Sequence, residues 1–212
     1  MNKRIFLAAV ISLVAALTAL PASAQTATPM PTQAPDAVVK QVADEVLQIV
    51  RTDPKVQAGD PSRVREVLDA KLLPHFDFRR MVMLAMGKNW RLATPDQQKE
   101  LVEQFRTLLI RTYSGALAQF RDNQINVKPL RAAADAKEVT VYSEVIQPGG
   151  AAPVPVDYSL VLSSDGKWRC YDVSVGGVSL VTNYRDDFNQ QIKAGGVEGL
   201  LKTLTSKNTG AK

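Results

Sequence analysis

The hydrophobic period of this chain changes once, near residue 122, and this change limits the possible folds more than any other feature. Before Asp122, apolar residues recur at i, i+3 and i+4, which is the spacing of one helical face. Beyond Asp122, apolar and polar residues alternate, as they do in a half-buried strand. A helical spacing returns after Gly177. The order of helices, sheet and helices predicts an α+β fold.

Cap and proline signals mark the helices of the first half. Apolar positions from Val38 to Val50 have helical spacing, and Asp53-Pro54 ends that segment. Asp60 is a predicted cap, with Pro61 at the first helical position. The longest helix is predicted to begin at Thr94-Pro95-Asp96-Gln97, where a capping threonine is followed three residues later by glutamine. Its apolar stripe continues to Phe120, or about seven turns at 3.6 residues per turn.

About four strands of a curved antiparallel sheet are expected between residues 125 and 175. Ser164-Asp165-Gly166-Lys167 is a hairpin signal leading into the last of them. In that strand, simple alternation puts Tyr171, Val173 and Val175 on one face, and the opposite face is predicted to hold Trp168, Cys170, Asp172 and Ser174. A final pair of helices, at 178–192 and 197–204, is predicted around Gly195-Gly196.

The first residues predict export. Lys3 and Arg4 precede an apolar run from Ile5 to Leu20, and Ala22-Ser23-Ala24 is a cleavage site of the A-x-A type. Residues 1–24 are therefore a predicted signal peptide, cleaved after Ala24. We expect a flexible proline-rich leader at 25–35, a single domain at 36–206 and a tail at 207–212. Loss of Lys3 and Arg4 lowers the net charge from +5 to +3, and this mild charge without a basic cluster argues against a nucleic-acid partner.

Few residues of this chain could carry out catalysis. His75 is the only histidine, which excludes a two-histidine zinc site, and its position at a helix start favours a packing or capping role. No nucleotide-binding or nucleophile-elbow motif is present. An enzyme that uses a carboxylate in a sheet-lined cavity remains an alternative, with Asp157 and Asp172 as candidates. Cys170 has no partner for a disulfide, and we expect its thiol to be buried and inert.

The apolar faces leave a further alternative open. They could be satisfied entirely by the protein's own core, as in any α+β domain. The chain would then be an exported interaction module without a ligand.

Two stretches resemble the MlaC, or toluene-tolerance, family of periplasmic phospholipid carriers. They are "FDFRRMVMLAMGKNWRLATPDQQKELVEQFRTLLIRTYSGAL" at residues 76–117 and "DGKWRCYDVSVGGVSLVTNYRDDF" at residues 165–188. The likeness extends from about Ala37 to Leu204. Two departures are modest: a cysteine stands at 170, where family members often have a β-branched or aromatic residue, and the proline-rich leader is longer than in some members.

The resemblance implies a sheet wrapped by helices, with an apolar pocket between them that holds acyl chains while the headgroup stays outside. It implies a periplasmic, non-enzymatic carrier that needs no cofactor, with phospholipid as its cargo. The implied partners are an outer-membrane lipoprotein complex and an inner-membrane ABC transporter with its substrate-binding hexamer. Shuttling between them would maintain the lipid asymmetry of the outer membrane.

With this expectation, strand and helix faces give a predicted lipid-binding set. The pocket floor would be formed by sheet residues, namely Val139, Val141, Tyr158, Leu160, Leu162, Tyr171, Val173 and Val175. The walls would be formed by helical residues, namely Met83, Met86, Phe105, Leu108, Leu109 and Thr112. Methionine suits a wall that must adapt to tails of different shape. If the strands had the opposite phase, Tyr142, Ile146 and Trp168 would replace part of this set.

Overall fold

A computed structural model of the chain describes residues 33–210. The predicted signal peptide, its cleavage after Ala24 and most of the predicted leader lie outside these residues. Residues 211–212 of the predicted tail also lie outside them. Within the described range, no helix combines the length and the apolar character that crossing a bilayer requires.

The described residues form six α-helices and one five-stranded antiparallel sheet, which confirms the α+β prediction. The helices are α1 (Pro35–Thr52), α2 (Pro54–Gln57), α3 (Pro61–Val67), α4 (Phe78–Met86), α5 (Pro95–Tyr113) and α6 (Leu180–Thr209). The strands are β1 (Gln124–Val127), β2 (Glu138–Ile146), β3 (Val154–Leu162), β4 (Trp168–Val175) and β5 (Val178–Ser179). The strands follow one another in the sheet in chain order.

The predicted caps of α3 and α5 are confirmed. The Asp60 side chain accepts a hydrogen bond from the backbone N–H of Arg63 at 2.8 Å. The Thr94 hydroxyl accepts from the N–H of Gln97 at 3.2 Å, and the Gln97 side chain accepts from the N–H of Thr94 at 3.0 Å. This reciprocal pair satisfies two backbone donors that the first turn of α5 would otherwise leave without partners.

Several predicted boundaries are wrong. The α-helical part of α5 ends at Tyr113, and a 3-10 segment, Ser114–Phe120, replaces its last predicted turns. α1 begins at Pro35, inside the predicted leader, because proline fits the first helical position. α6 continues to Thr209, through the start of the predicted tail. The Asn208 amide donates to the Gln104 carbonyl at 2.8 Å, which ties the end of α6 to α5.

The paired glycines after β4 form a turn that sequence periodicity did not predict. Gly176 and Gly177 have φ of 59° and 83°, the positive values that a two-residue type I′ hairpin requires. Val178 therefore belongs to β5 and pairs with Val175 of β4. The helix begins at Leu180 rather than at Val178. The second glycine pair acts as predicted, since the backbone leaves helical geometry at Gly195 and Gly196 inside α6.

Within residues 33–210, three apolar clusters stabilise this arrangement. The largest joins α4, α5 and α6 around Phe105 and Phe188, whose rings meet edge to face at 5.5 Å. A second lies between the inner face of the sheet and Val39 of α1. A third packs the end of α1 against α2 and α3 around Val50. Beside these clusters, the helices and the sheet form a cavity that opens to the surface.

Candidate functional site

A cavity of about 660 Å³ lies between α1, the inner face of the sheet and the end of α5. α1 contributes more lining residues than any other element, namely Val38, Val39, Val42, Ala43, Val46, Leu47 and Val50. Their spacing is that of one helical face, so α1 turns its apolar stripe toward the cavity. The segment after α5 adds Ala116, Leu117 and Phe120, and the segment before α4 adds Leu72, Leu73 and Phe76.

Exposed lining residues locate the opening of the cavity. Tyr113, Val175 and Val178 all line it, yet they are 49%, 51% and 65% exposed. The opening therefore lies where the end of α5 approaches the β4–β5 hairpin. Apolar side chains exposed together at a cavity opening are typical of a binding site rather than of scattered surface residues.

None of the described residues that line the cavity is Asp, Glu, Lys or Arg, so this lining carries no formal charge. Its polar members are His75, Tyr113, Ser114, Tyr158, Cys170, Ser179 and Asn183. Burial lowers the pKa of His75, which favours the neutral imidazole. Burial also raises the pKa of the Tyr158 phenol, so this group is neutral as well. Such a surface suits hydrocarbon and offers a bound charge no partner.

A β-bulge in β4 decides which of its side chains face the cavity. Ser159 pairs with Asp172, but the next residue, Leu160, pairs with Cys170, so Tyr171 has no partner across the ladder. The extra residue shifts the alternation by one. Cys170 and Val173 therefore face the same cavity, which single-phase alternation did not allow. The prediction that Trp168 and Cys170 lie on the face opposite Val173 is wrong for this reason, since both are buried on the inner face of the sheet.

Tyr171 is held outside the cavity. The Arg80 guanidinium lies 4.3 Å from the centre of its ring, and its hydroxyl donates to Glu138 at 3.2 Å. Arg80 also forms an ion pair with Glu138 at 2.7 Å. This contact set fixes the bulged residue against α4, so the predicted position of Tyr171 on the pocket floor is wrong.

Five predicted residues line the cavity: Leu109, Tyr158, Leu160, Val173 and Val175. The phase predicted for β2 agrees with the structure, because Val139 and Val141 are buried while Tyr142 and Ile146 are exposed. Trp168 is the one residue of the opposite-phase set that faces inward. Contact of the five residues with a lipid remains a prediction.

The other predicted wall residues lie away from the cavity. Met86, Phe105 and Leu108 are buried in the cluster between α4, α5 and α6, and Met83 packs against the same cluster. Most of α5 faces α6, so only its last turn reaches the cavity. Thr112 is exposed, and its hydroxyl donates to the Leu108 carbonyl at 2.7 Å. On the sheet, Val139, Val141 and Leu162 belong to the cluster with Trp168 rather than to the lining.

Sequence reasoning missed the part that α1 plays. Its stripe of valines was visible as a helix face, but nothing in the spacing showed whether that face met the protein core or an empty space. The residues around His75 were missed for a related reason, because they follow α3 through a π-helical turn, Leu68–Leu72, and a 3-10 turn, Leu73–His75. Their direction depends on this local geometry.

The two carboxylates considered for catalysis lie outside the lining. Asp157 pairs with Tyr142, which is exposed, so both belong to the outer face of the sheet. Asp172 accepts from the Ser179 hydroxyl at 2.5 Å and from the N–H of Val181 at 3.0 Å. It therefore stabilises the beginning of α6. Among the described residues, no cluster of three or more His, Cys, Asp or Glu could hold a metal ion.

Cys170 is buried, as expected from its sequence context. Burial raises the pKa of its thiol to about 12, and the thiol donates to the Asp172 carbonyl at 3.1 Å. The thiolate, which is the reactive form, is therefore scarce near neutral pH.

Comparison with known proteins identifies relatives of this chain. Over 173 residues the chain is 28% identical to the toluene tolerance protein ttg2D of Pseudomonas putida, covering 81% of this chain and 79% of that protein. Over 171 residues it is 19% identical to the intermembrane phospholipid transport system binding protein MlaC of Haemophilus influenzae, covering 80% of each.

A solved structure is also similar. It is the phospholipid-binding protein of Ralstonia solanacearum in complex with a phospholipid, with a TM-score of 0.77 and 40% sequence identity. The similarity covers 82% of this chain and 97% of that one. The family model described as MlaC protein matches residues 40–206, which include most of α1, the sheet and most of α6. From this match and the shared fold, the chain belongs to the MlaC family.

Proposed function

We propose that this protein binds phospholipid by enclosing its acyl chains in the cavity between α1 and the sheet. The main support for this proposal is the uncharged, largely apolar lining of the cavity of about 660 Å³, which opens at Tyr113 and Val178. Two relatives are named for phospholipid binding or phospholipid transport, and one of them was solved with a phospholipid. Their names and the cavity support the same ligand class.

Burial of acyl chains in this cavity would be favourable, because each methylene removed from water contributes about 0.8 kcal/mol. We therefore expect the folded protein to keep its ligand during purification.

We further propose that the protein is a periplasmic carrier, exported by the predicted signal peptide. A diacyl lipid has on the order of 30 methylenes, so its free passage through water would be opposed by roughly 20 kcal/mol. Release then requires a docked partner that offers the tails an apolar path. We propose an outer-membrane complex and an inner-membrane ABC transporter as these partners, with outer-membrane lipid asymmetry as the outcome. The chain has no nucleotide-binding motif, so the partner would supply energy.

Native mass spectrometry of protein purified from a bacterial periplasm tests ligand binding. We expect a complex heavier than the chain by the mass of a phospholipid, with the lipid lost under denaturing conditions. A clean mass of the chain alone would contradict the proposal and favour an interaction module without ligand.

The carrier role needs a separate measurement. Protein loaded with fluorescent phospholipid should transfer it to vesicles that contain the ABC transporter complex faster than to vesicles of the same lipids without it. Equal transfer to both would contradict the proposed inner-membrane partner. Turnover of bound lipid to a new product would instead indicate an enzyme, although Asp157 and Asp172 do not reach the cavity.

A further inference from the structure

The polar side chains of the cavity lining differ in whether the protein itself supplies their hydrogen-bond partners. The Ser179 hydroxyl donates to the Asp172 carboxylate at 2.5 Å, and the Cys170 thiol donates to the Asp172 carbonyl at 3.1 Å. The lining tyrosines interact with neighbouring hydroxyl groups, namely Tyr158 with Ser143 and Tyr113 with Tyr184. These four lining residues therefore need no hydrogen bond from a ligand.

Asn183 is the exposed member of the group that has no such partner. Within residues 33–210, the side chains of three lining residues, His75, Ser114 and Asn183, hydrogen-bond to no other residue. His75 and Ser114 are half-buried, whereas Asn183 is exposed. Exposed lining residues locate the opening of the cavity, so the Asn183 amide lies at that opening.

The first turns of α6 change in polarity where the cavity meets water. Leu180, Asn183 and Asp187 follow one another at i, i+3 and i+7, the spacing of one helical face. Leu180 is half-buried and lines the cavity, and Asn183 lines it while exposed. Asp187 lies outside the lining, where it forms an ion pair with Lys207 at 3.1 Å. The uncharged amide therefore stands between an apolar side chain and a charged one.

A diacyl phospholipid has the same order of groups along its length. Its hydrocarbon tails end at ester groups, and the charged phosphate lies beyond them. The ester carbonyl is an uncharged acceptor, and an asparagine side chain offers two N–H donors without a formal charge. Because the lining offers a bound charge no partner, the phosphate belongs outside it. With the tails in the cavity, the esters would lie at the level of Asn183.

We propose that Asn183 is a specificity-determining residue, whose side-chain amide donates a hydrogen bond to an ester carbonyl of a phospholipid with its tails in the cavity. This inference rests on the proposed phospholipid binding and adds recognition of the linkage between tail and glycerol. The expected consequence is a preference for ester-linked over ether-linked phospholipids, which apolar contacts alone would not produce.

The test is a competition between two phospholipids that differ only at this linkage. They are dioleoylphosphatidylglycerol and its diether analogue, in which a methylene replaces each ester carbonyl. Vesicles containing equal amounts of the two lipids are incubated with the purified protein, which is then separated from them. Native mass spectrometry gives the ratio of the two lipids bound and the total occupancy.

The variant is Asn183→Leu, because leucine has nearly the shape of asparagine and no hydrogen-bonding group. Leucine also favours a helix more than asparagine does, so α6 should form in the variant. The matched control is Gln190→Met, which removes another exposed amide of α6 from outside the cavity lining. Circular dichroism confirms that each protein is folded.

We expect the wild type to bind the ester lipid about five-fold in preference to the diether, since one hydrogen bond contributes a factor of roughly two to ten. Asn183→Leu should bind the two lipids equally, and Gln190→Met should keep the preference of the wild type. A preference that persists in folded Asn183→Leu would overturn the proposal. Equal loss of preference in the control would do the same, because it would indicate a general effect of α6.

Total occupancy separates the remaining outcomes. If the wild type bound both lipids equally, phospholipid binding would stand and the hydrogen bond to the ester would be wrong. If Asn183→Leu also lowered the occupancy of both lipids to the same extent, the amide would contact the phosphate rather than the ester. If the folded wild type bound neither lipid, the proposed function itself would fail.

Discussion

The Asp172 carboxylate accepts a hydrogen bond from the Ser179 hydroxyl at 2.5 Å, across the glycine turn that separates β4 from β5. The other carboxylate oxygen accepts from the N–H of Val181 in the first turn of α6. One side chain therefore joins the last long strand to the helix that covers it. An acidic group at this helix start also interacts favourably with the helix dipole.

Replacing Asp172 by alanine should destabilise the fold without emptying the cavity. We expect the free energy of unfolding to fall by about 1–2 kcal/mol, because a helix-capping interaction and a charged hydrogen bond are lost together. Urea unfolding followed by circular dichroism measures this change. Asp157→Ala, on the outer face of β3, is the control and should change stability by less than about 0.5 kcal/mol. Equal losses in the two variants would contradict the capping role.

A charge placed inside the cavity should expel lipid. Val173→Glu puts a carboxylate among apolar lining residues, where no charged partner is available, so we expect phospholipid occupancy to fall sharply. Native mass spectrometry measures occupancy, and circular dichroism shows whether the variant is folded. Tyr142→Glu is the control, since Tyr142 is 55% exposed on the outer face of the sheet. A folded Val173→Glu protein with full occupancy would rule out this cavity as the lipid site.

Acid should weaken the fold through His75. Burial lowers its pKa below the ordinary value of 6.5, so near and below pH 6.5 the unfolded chain binds more protons than the folded one. Stability contributed by the neutral imidazole is therefore present above pH 6.5 and is lost as the pH falls. Because His75 is the only histidine, one imidazole resonance in a proton NMR titration gives its pKa directly.

His75→Gln supplies the control for this pH effect. Between about pH 5.5 and 7, the variant's free energy of unfolding should depend less on pH than that of the wild type. A folded-state pKa above 6.5, or the same pH dependence in both proteins, would contradict the buried neutral state.

The Cys170 thiol should resist modification in the folded protein. A pKa of about 12 leaves almost no thiolate at pH 8, and burial blocks access by the reagent. We expect Ellman's reagent to react slowly in buffer and at once in guanidinium chloride, as followed by absorbance. Rapid reaction in buffer, with circular dichroism unchanged, would show that the cavity wall opens at β4.

Local signals allowed much of the fold to be predicted from sequence. The capping box at Thr94 and the cap at Asp60 involve neighbours within three residues, so the printed sequence contains the whole interaction. The inner face of β2 followed from alternation, because Val139, Val141 and Val145 lie in one regular stretch. The likeness of two sequence stretches to the MlaC family supplied the ligand class, which no spacing alone could provide.

The residues that line the cavity could not all be predicted, because their positions depend on features that leave no local signal in the sequence. The bulge at Tyr171 breaks the alternation of β4, and the side chain of this bulged residue contacts Arg80 and Glu138, which are distant in sequence. Whether an apolar face meets a protein core or a space depends on the packing of whole elements. Phe105 and Val46 look alike as stripe residues, yet one is buried against α6 and the other lines the cavity.

The lining without fixed charges has a consequence for what the cavity can distinguish. A wall of valine, leucine and phenylalanine attracts hydrocarbon through contacts that have no direction, so a chain could slide along it with little change in energy. Such a surface discriminates between tails by their volume and hardly at all by the position of a double bond along the tail. The protein would therefore select acyl tails by their total volume and would accept the mixture of tails that a membrane contains.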